Sequence, residues 1–277
     1  MRRAGRLCLR GHEGAIVSLA ALSALAAAVR VFSADYCADQ LTLALADRDQ
    51  IAALSVDAAK DFSYLRARAE GLPRARAEAE QVVARRADIV LRYWGGDAAR
   101  LERLGVNVVS LGYAADFDAI KANVMRAAEA MGQRDRGAAL VASIDQRLQA
   151  LVARGPTSTS ALYVTPGGVT AGKGTIIDAI FSAAGVANVA AEKGLSYWPP
   201  LSAEALIADP PDFMVTGFFS ANSERVDHWS MARHPALTRL LAATPRVDLD
   251  ADVLSCPLWF SLDAAEAIRN AVEKAGD

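Results

Sequence analysis

The chain has 277 residues, a formal net charge of −2 and a sequence pI near 6.0. Hydrophobic residues make up 53 % and charged residues 22 %, a composition that supports a sizeable core and excludes disordered, collagen-like and disulfide-dense proteins. The near-neutral charge also disfavours a dedicated nucleic-acid binder, which needs a basic face against phosphates. The length predicts one large domain or two medium ones.

Residues 1–28 have the pattern of a secretory signal peptide. Four arginines precede an apolar segment, residues 15–28, which is shorter than the about 20 residues that a membrane-spanning helix needs. Small residues around Ala26 offer a cleavage site, and a buried N-terminal helix is the alternative. We therefore expect the mature protein to be exported. The residues before Cys37 lack a lipobox, so we expect no lipid anchor.

From residue 30 onwards, short apolar runs alternate with helical patterns. Strands that are separated by helices pair in parallel through crossover connections. Residues 29–115 are therefore predicted to form an N-terminal α/β lobe. Its predicted strands are Val31–Ala34, Ile51–Ser55, Asp88–Leu91 and Asn107–Leu111, and its predicted helices are Asp39–Leu45, Glu78–Arg86 and Ala98–Leu104.

A long segment of helical pattern follows, over residues 116–153. It has no proline, its apolar residues recur at helical spacing, and Gly132 lies near its middle. At a rise of about 1.5 Å per residue, one continuous helix here would be roughly 55 Å long. The pattern predicts a single rigid helix that joins two lobes.

The remaining residues, 154–277, repeat the alternation and are predicted to form a C-terminal lobe. The fold prediction is thus α/β, with two Rossmann-like lobes joined by one long helix and a ligand cleft between the lobes. The predicted strands of this lobe are Ala161–Thr165, Val186–Val189, Phe213–Thr216 and Arg246–Leu249, and its predicted helices are Thr175–Ala184, Ser202–Ala208 and Leu262–Lys274.

Motifs for catalysis are weak. Residues 167–174 nearly fit the phosphate-binding loop G-x-x-x-x-G-K-[ST], but Gly174 replaces the hydroxyl residue that holds Mg²⁺. We interpret the segment as a βα loop whose glycines permit tight turns or close approach. His228 and His234 are six residues apart and share no helix face, which disfavours a zinc site. The sequence predicts neither catalytic residues nor a bound metal or cofactor.

Two cysteines stand in opposite lobes, each just after a predicted strand. Cys37 and Cys256 form either a disulfide that connects the lobes or two free, buried thiols. The sequence leaves both readings open, because it does not place the two Cα atoms within the about 7 Å that a disulfide requires.

Aromatic residues cluster where the predicted strands end. Ligands of parallel α/β sheets bind outside the carboxyl ends of the strands, so two facing lobes would present these side chains to one cleft. Such walls suit a flat or bulky ligand held by stacking and burial, and core packing is the alternative for some of them. The candidates are Tyr36, Tyr93, Trp94, Trp198, Phe218 and Trp259.

The sequence resembles the periplasmic substrate-binding proteins that have a single long helix between their lobes and serve ABC importers of vitamin B12, iron–siderophores and haem. Residues 31–45 are similar to the opening strand and helix of that family. Residues 79–91 and 201–215 resemble its two signature segments, a glutamate and a short helix before a strand, with Ala87 where the first signature usually has proline. The resemblance covers residues 30–274.

The resemblance implies a periplasmic binding protein rather than an enzyme. Its ligand would be a bulky metal chelate, a corrinoid or an iron–siderophore, and its partner the membrane permease of an ABC importer. Glu80 and Glu204 match the family's glutamates that dock into permease arginines; solvated glutamates at helix starts are the alternative. Tyr93 and Trp198 match aromatic contacts of vitamin B12 binders. We also expect a monomer.

Two alternative functions stay open. Haem binding would use Tyr36 or Tyr93 as the axial ligand of the iron. A two-lobed metal-binding enzyme would use Cys37 and Cys256.

Overall fold

The fold consists of two α/β lobes, each built on a four-stranded parallel sheet. The computed structural model describes residues 28–94, 98–218 and 235–276. The strand order is β2-β1-β3-β4 in the first sheet and β6-β5-β7-β8 in the second, which confirms the predicted pair of α/β lobes. The strands are β1 (Val31–Ser33), β2 (Ile51–Ala53), β3 (Ile89–Arg92), β4 (Asn107–Ser110), β5 (Ser160–Val164), β6 (Ala187–Asn188), β7 (Phe213–Gly217) and β8 (Arg246–Leu249).

Helices occupy the crossovers that parallel pairing requires. They are α1 (Tyr36–Leu45), α2 (Ala79–Ala84), α3 (Ala98–Glu102), α4 (Phe117–Ala130), α5 (Arg134–Ala153), α6 (Ile176–Ala184), α7 (Val189–Glu192), α8 (Ala203–Ala208), α9 (Pro235–Ala243), α10 (Ala251–Leu254) and α11 (Ser261–Gly276). Among the residues that the structure describes, no helix is both long and apolar enough to cross a lipid bilayer. The predicted signal peptide lies outside those residues except for residue 28.

The observed strands lie within two residues of their predicted positions. Every residue of β1, β3 and β7 is buried, because helices cover both faces of each sheet. Strands of this kind read as continuous apolar runs, which is why the sequence reveals them. The first and third strands of each lobe pair in the equivalent way. Val31 lies opposite Ile89 in the first lobe, and Ala161 lies opposite Phe213 in the second.

The predicted single helix over residues 116–153 is two helices, α4 and α5. Gly132 has a φ of +70°, a left-handed conformation that suits glycine. The Gly132 amide donates to the Glu129 carbonyl and the Gln133 amide to the Ala128 carbonyl, as in a Schellman C-cap that ends a helix. Apolar residues keep helical spacing on both sides of this turn, so periodicity alone does not detect the break.

The two helices pack antiparallel. Of the two, it is α5 that runs from the N-terminal lobe to the C-terminal lobe. The Lys121 ammonium lies 2.8 Å from the Asp145 carboxylate across the helix pair. A Cβ at Gly137 would lie 2.4 Å from the Cβ of Ala128, so glycine permits the close approach. Arg136 contacts the N-terminal lobe and Arg147 bonds Glu266 of α11. The connecting helix is therefore about 30 Å long, not 55 Å.

Candidate functional site

The N-terminal side of the cleft is organised by one carboxylate, Asp35. One of its oxygens caps α1 by accepting from the Cys37 and Ala38 amides at 3.1 and 2.9 Å. The other oxygen accepts from the Tyr93 and Trp94 amides, just beyond β3, at 2.7 and 3.0 Å. Asp35 thus joins the ends of two strands. The sequence prediction does not include Asp35, although an aspartate directly before a helix is a recognisable capping signal.

Two aromatic side chains of the N-terminal lobe lie together at this edge. Trp94 is 37 % exposed, and its indole N–H donates to the Sγ of Cys37 at 3.0 Å. Tyr36 lies beside it with its ring 5.3 Å from that of Phe62, edge to face. Burial and the negative charge of Asp35 raise the pKa of Tyr36, while a hydrogen bond with Trp94 lowers it in part.

Tyr93, by contrast, is a core residue. It is only 5 % exposed, its hydroxyl accepts from the Ala114 amide at 3.1 Å and donates to the Pro257 carbonyl at 3.3 Å. Burial raises the pKa of this tyrosine. Because both the ring and the hydroxyl are engaged within the protein, the structure places Tyr93 between the lobes rather than on a cleft wall.

The C-terminal side of the cleft is formed by two paired loops, residues 168–173 and 195–201, which we call the aromatic ribbon. Main-chain hydrogen bonds of 2.9 Å join Gly172 to Tyr197 and Tyr197 to Lys173. A Cβ at Gly172 would lie 2.2 Å from the Leu195 carbonyl oxygen, so only glycine permits this pairing. The glycine-rich segment is therefore a βα loop that accepts a second backbone at close range.

The ribbon exposes two large aromatic side chains. Trp198 is 44 % exposed, with its ring 6.4 Å from that of Tyr163, and Tyr197 is 69 % exposed. Tyr197 has a φ of +58° and Phe218, directly after β7, a φ of +64°. Such left-handed conformations are uncommon for bulky residues and cluster at functional sites.

Tyr113 is a cleft residue that the sequence analysis missed. It follows β4, is 45 % exposed, and its hydroxyl lies beside the Trp198 side chain and the Ile176 amide of the other lobe. Burial raises its pKa, and those two contacts lower it in part. The same strand-end rule that selected the other aromatics would have found Tyr113.

The remaining predicted aromatics are Phe218 and Trp259. Phe218 is half-buried and occupies the position in its lobe that Trp94 occupies in the other, as the strand register shows. Trp259 is half-buried, packs against the main apolar core and lies 5.2 Å from the ring of Phe260. Of the six predicted aromatics, Trp94 and Trp198 are exposed, Tyr36, Phe218 and Trp259 are half-buried, and Tyr93 is buried. Their contact with a ligand stays a prediction.

Cys37 and Cys256 form a disulfide between the lobes, with their Cα atoms 5.5 Å apart. The bridge resolves the choice that the sequence left open. It also overturns the hypothesis of a metal-binding enzyme that uses these two cysteines, because a disulfide offers no thiolate ligand. Among the described residues no cluster of three His, Cys, Asp or Glu side chains is placed to hold a metal ion. His228 and His234 lie outside the described ranges.

Further contacts surround the disulfide and connect residues 62–66 with residues 252–263, a region that we call the interlobe clamp. The Ser255 hydroxyl donates to the Phe62 carbonyl at 2.8 Å. The Tyr64 ring stacks on Phe260 at 4.3 Å, and its hydroxyl donates to Asp263 at 2.6 Å. An ion pair of 2.8 Å joins Arg66 to Asp252.

Glu80 and Glu204 occupy equivalent places in the two lobes. Each is the second residue of the short helix that leads into the third strand of its lobe, and each is exposed. Glu80 lies 3.4 Å from the Arg100 guanidinium, and Glu204 accepts from the Ser202 hydroxyl at 2.8 Å.

Comparison with known proteins finds relatives of one kind. Residues 31–245 match the family model described as periplasmic binding protein. A cobalamin-binding protein of Halobacterium salinarum is 31 % identical over 133 residues, which are 46 % of this chain and 35 % of that protein. The chain thus matches about a third of the length of this curated relative.

Solved structures share the whole fold. A periplasmic haem-binding protein from Roseiflexus is 23 % identical with a TM-score of 0.68 and covers 88 % of this chain and 99 % of its own. A periplasmic vitamin B12-binding protein of Vibrio cholerae is 20 % identical with a TM-score of 0.67 and coverages of 90 % and 98 %. An Fe³⁺-hydroxamate transport protein of Saccharomonospora viridis is 20 % identical with a TM-score of 0.61, and the match covers 88 % of this chain and 93 % of that protein.

Proposed function

The chain belongs to the periplasmic binding protein family, and from that premise we propose that it captures a cobalamin-type corrinoid in the cleft and delivers it to an ABC importer. One observation carries the proposal: both lobes expose large aromatic side chains towards one cleft. Trp94 and Tyr113 come from the N-terminal lobe, and Tyr197 and Trp198 from the C-terminal lobe. Other aromatic rings among the described residues are buried, as Phe32 and Phe181 are, or half-buried, as Phe62 and Tyr64 are.

A corrinoid suits walls of this composition. It is a large ring with a polar periphery, and Tyr and Trp combine an apolar face with a hydrogen-bonding tip. Cobalamin also brings its own axial ligands, so the protein need supply none. The cobalamin-binding relative supports the same ligand class.

Haem is less well supported by the cleft tyrosines. An axial tyrosinate requires a phenol that is free to reach the iron, and Tyr36 is half-buried with its ring packed edge to face on Phe62. The Tyr93 hydroxyl is occupied by Ala114 and Pro257. These environments favour a ligand that is held by stacking and hydrogen bonds.

We propose a periplasmic location for the mature protein. Disulfides form and persist in oxidising compartments, and the buried Cys37–Cys256 bridge fits export. A signal peptide over residues 1–28 would direct the chain there.

We propose that Glu80 and Glu204 dock on the permease. Their equivalent positions give the protein one exposed carboxylate per lobe, at matching places on two lobes of the same topology. Two such charges can orient a binding protein over a basic surface that is itself built from two like halves.

Ligand-induced thermal stabilisation tests the proposal. The panel contains cyanocobalamin, dicyanocobinamide, haem and a ferric hydroxamate. A ligand at 100 times its Kd adds about 2.7 kcal/mol to the free energy of unfolding, which raises Tm measurably. We expect a shift with the two corrinoids. A shift with haem or the ferric hydroxamate alone would contradict the corrinoid assignment and identify the ligand class instead.

A further inference from the structure

We propose that the Cys37–Cys256 disulfide is a positioning element of the ligand site, which fixes the orientation of Trp94 and the separation of the two lobes. The inference deepens the proposed function, since it assumes that the ligand binds against Trp94. Cys37 touches no ligand in this scheme and acts through the tryptophan.

Trp94 and Cys37 belong to one rigid unit. The Asp35 carboxylate accepts from the amides of both residues, one through each oxygen. The indole N–H then donates to the sulfur of Cys37 at 3.0 Å. The main chain and the ring of Trp94 are therefore both held with reference to the half-cystine, and rotation of the indole would break the N–H···S contact.

The other half of the disulfide belongs to the C-terminal lobe. Cys256 lies within the interlobe clamp, next to Ser255, whose hydroxyl donates to the Phe62 carbonyl. One residue further, the Pro257 carbonyl accepts from the Tyr93 hydroxyl. The sulfur that orients Trp94 is thus bonded to the opposite lobe, so the position of the tryptophan and the distance between the lobes are set by the same bridge.

Burial makes the bridge a permanent feature. Cys37 and Cys256 are both buried, which closes them to bulky reductants. A cleft that is fixed before the ligand arrives avoids the entropy of ordering side chains and lobes on binding. We therefore expect tight binding with little closure of the lobes.

The test compares the protein with its Cys37→Ala/Cys256→Ala variant, which removes both sulfurs. Tyr64→Phe is the matched control, because it removes one hydrogen bond of the clamp, to Asp263, and leaves Trp94 and the disulfide intact. Each protein is also made with Trp94→Phe, so that the difference in emission reports on Trp94 alone. Affinity for cyanocobalamin is measured by calorimetry.

A disulfide in contact with an indole quenches its fluorescence. We expect the Trp94 emission of the cysteine-free variant to rise about two-fold and its affinity for cyanocobalamin to fall about five-fold or more. The Tyr64→Phe protein should keep both values. Unchanged Trp94 emission, or unchanged affinity, in the cysteine-free variant would overturn the proposal.

A second measurement needs no cysteine substitution. It tests the contact between Trp94 and the disulfide even when the cysteine-free variant does not fold. The chain has four tryptophans, so an unquenched Trp94 would contribute about a quarter of the total emission. We expect Trp94→Phe in the oxidised protein to remove much less than that share, and loss of a quarter would overturn the contact. Failure of the parent protein to bind cyanocobalamin would reject the proposed function, and the emission would still decide whether the disulfide holds Trp94.

Discussion

The two lobes have the same strand order and connectivity, yet they present their aromatic residues in different ways. The N-terminal lobe fixes Trp94 with side-chain atoms, the Asp35 carboxylate and the Cys37 sulfur. The C-terminal lobe fixes Trp198 with main-chain hydrogen bonds between two loops that meet at Gly172. Topology thus sets where a ligand contact lies, while local chemistry determines how the contact is held.

The interiors of the lobes differ in a related way. The register aligns Ser33 with Tyr163 and Tyr93 with Gly217. A Cβ at Gly217 would lie 2.4 Å from the Tyr163 hydroxyl, so the C-terminal lobe has its large ring on β5 and a glycine on β7. The N-terminal lobe has the reverse, a serine on β1 and a tyrosine after β3. Each lobe thus fills the space between these two strands with one tyrosine ring, which comes from the first strand in the C-terminal lobe and from the end of the third strand in the N-terminal lobe.

The largest effect is expected at Gly172. Gly172→Ala places a Cβ against the Leu195 carbonyl, which neither backbone can avoid without separating the ribbon. We expect the free energy of unfolding to fall by about 4 kcal/mol and the ligand affinity to be lost. Urea unfolding and calorimetry measure the two effects. Gly167→Ala is the control, because nothing lies within 4 Å of its added Cβ; an equal effect of both substitutions would contradict the ribbon.

The corresponding substitution in the N-terminal lobe is Asp35→Ala. It leaves four main-chain amides without their acceptor and should cost about 3 kcal/mol, with weaker ligand binding because Trp94 is released. Thermal unfolding and calorimetry report the loss. Asp116→Ala removes a cap that accepts from the Ala119 amide alone and should cost about 1 kcal/mol. Equal losses would show that Asp35 is only a helix cap.

A third contrast concerns the acidic residue near the start of the first helix in each lobe. Asp39 is buried and accepts from the Ser55 amide and hydroxyl at 2.9 and 2.6 Å. Asp178 is half-buried and accepts from Asn188 at 2.9 Å. Burial raises the pKa of Asp39 to about 7. The hydrogen bonds from Ser33 and Ser55 lower the pKa, but their effect is smaller than that of burial.

Because the folded-state pKa of Asp39 is raised, its contribution to stability is complete below about pH 4 and is lost as the pH rises to about 7. Asp39→Asn should remove this dependence and raise the free energy of unfolding at pH 8 by about 2 kcal/mol relative to the parent. Urea titrations from pH 4 to 8 measure it. Asp178→Asn, the control, should not stabilise the protein at pH 8; parallel pH curves for parent and Asp39→Asn would refute the prediction.

The smallest effect on the molecule itself is expected from Glu80→Arg with Glu204→Arg. Both side chains are exposed, so stability and cyanocobalamin affinity should stay within about 0.5 kcal/mol of the parent values. Uptake of labelled cobalamin by cells should fall strongly, since each docking contact becomes repulsive. Glu102→Arg with Glu192→Arg makes the same charge change, one residue per lobe, and should leave uptake intact. Equal uptake by both double variants would reject the docking role.

The sequence predicts the strands well because buried parallel strands are short apolar runs between helices. The predicted single helix over residues 116–153 is wrong at Gly132, because two helices of similar periodicity meet there at a glycine in the left-handed conformation. The sequence pattern also gives no prediction for the helix α9, which lies between the predicted strands Phe213–Thr216 and Arg246–Leu249. Hydrophobic patterns therefore predict which residues are buried. They predict less well where one helix ends and the chain turns into the next.

The candidate site is predicted in part for a different reason. Strand-end placement identifies Trp94 and Trp198, and applied without omission it also identifies Tyr113. It does not separate a cleft residue from a core residue such as Tyr93, because that depends on the Ala114 amide and the Pro257 carbonyl, far apart in sequence. The pairing of Cys37 with Cys256 is likewise a property of the assembled lobes.

The disulfide gives the molecule the topology of a closed ring. Its cysteines are 219 positions apart, so the covalent loop contains the second sheet and three of the four strands of the first, while β1 and α11 lie in the two terminal segments outside it. A single peptide-bond cleavage anywhere inside the loop opens the ring without dividing the molecule. The two fragments would migrate as one species on a non-reducing gel and separate only after the bridge is reduced.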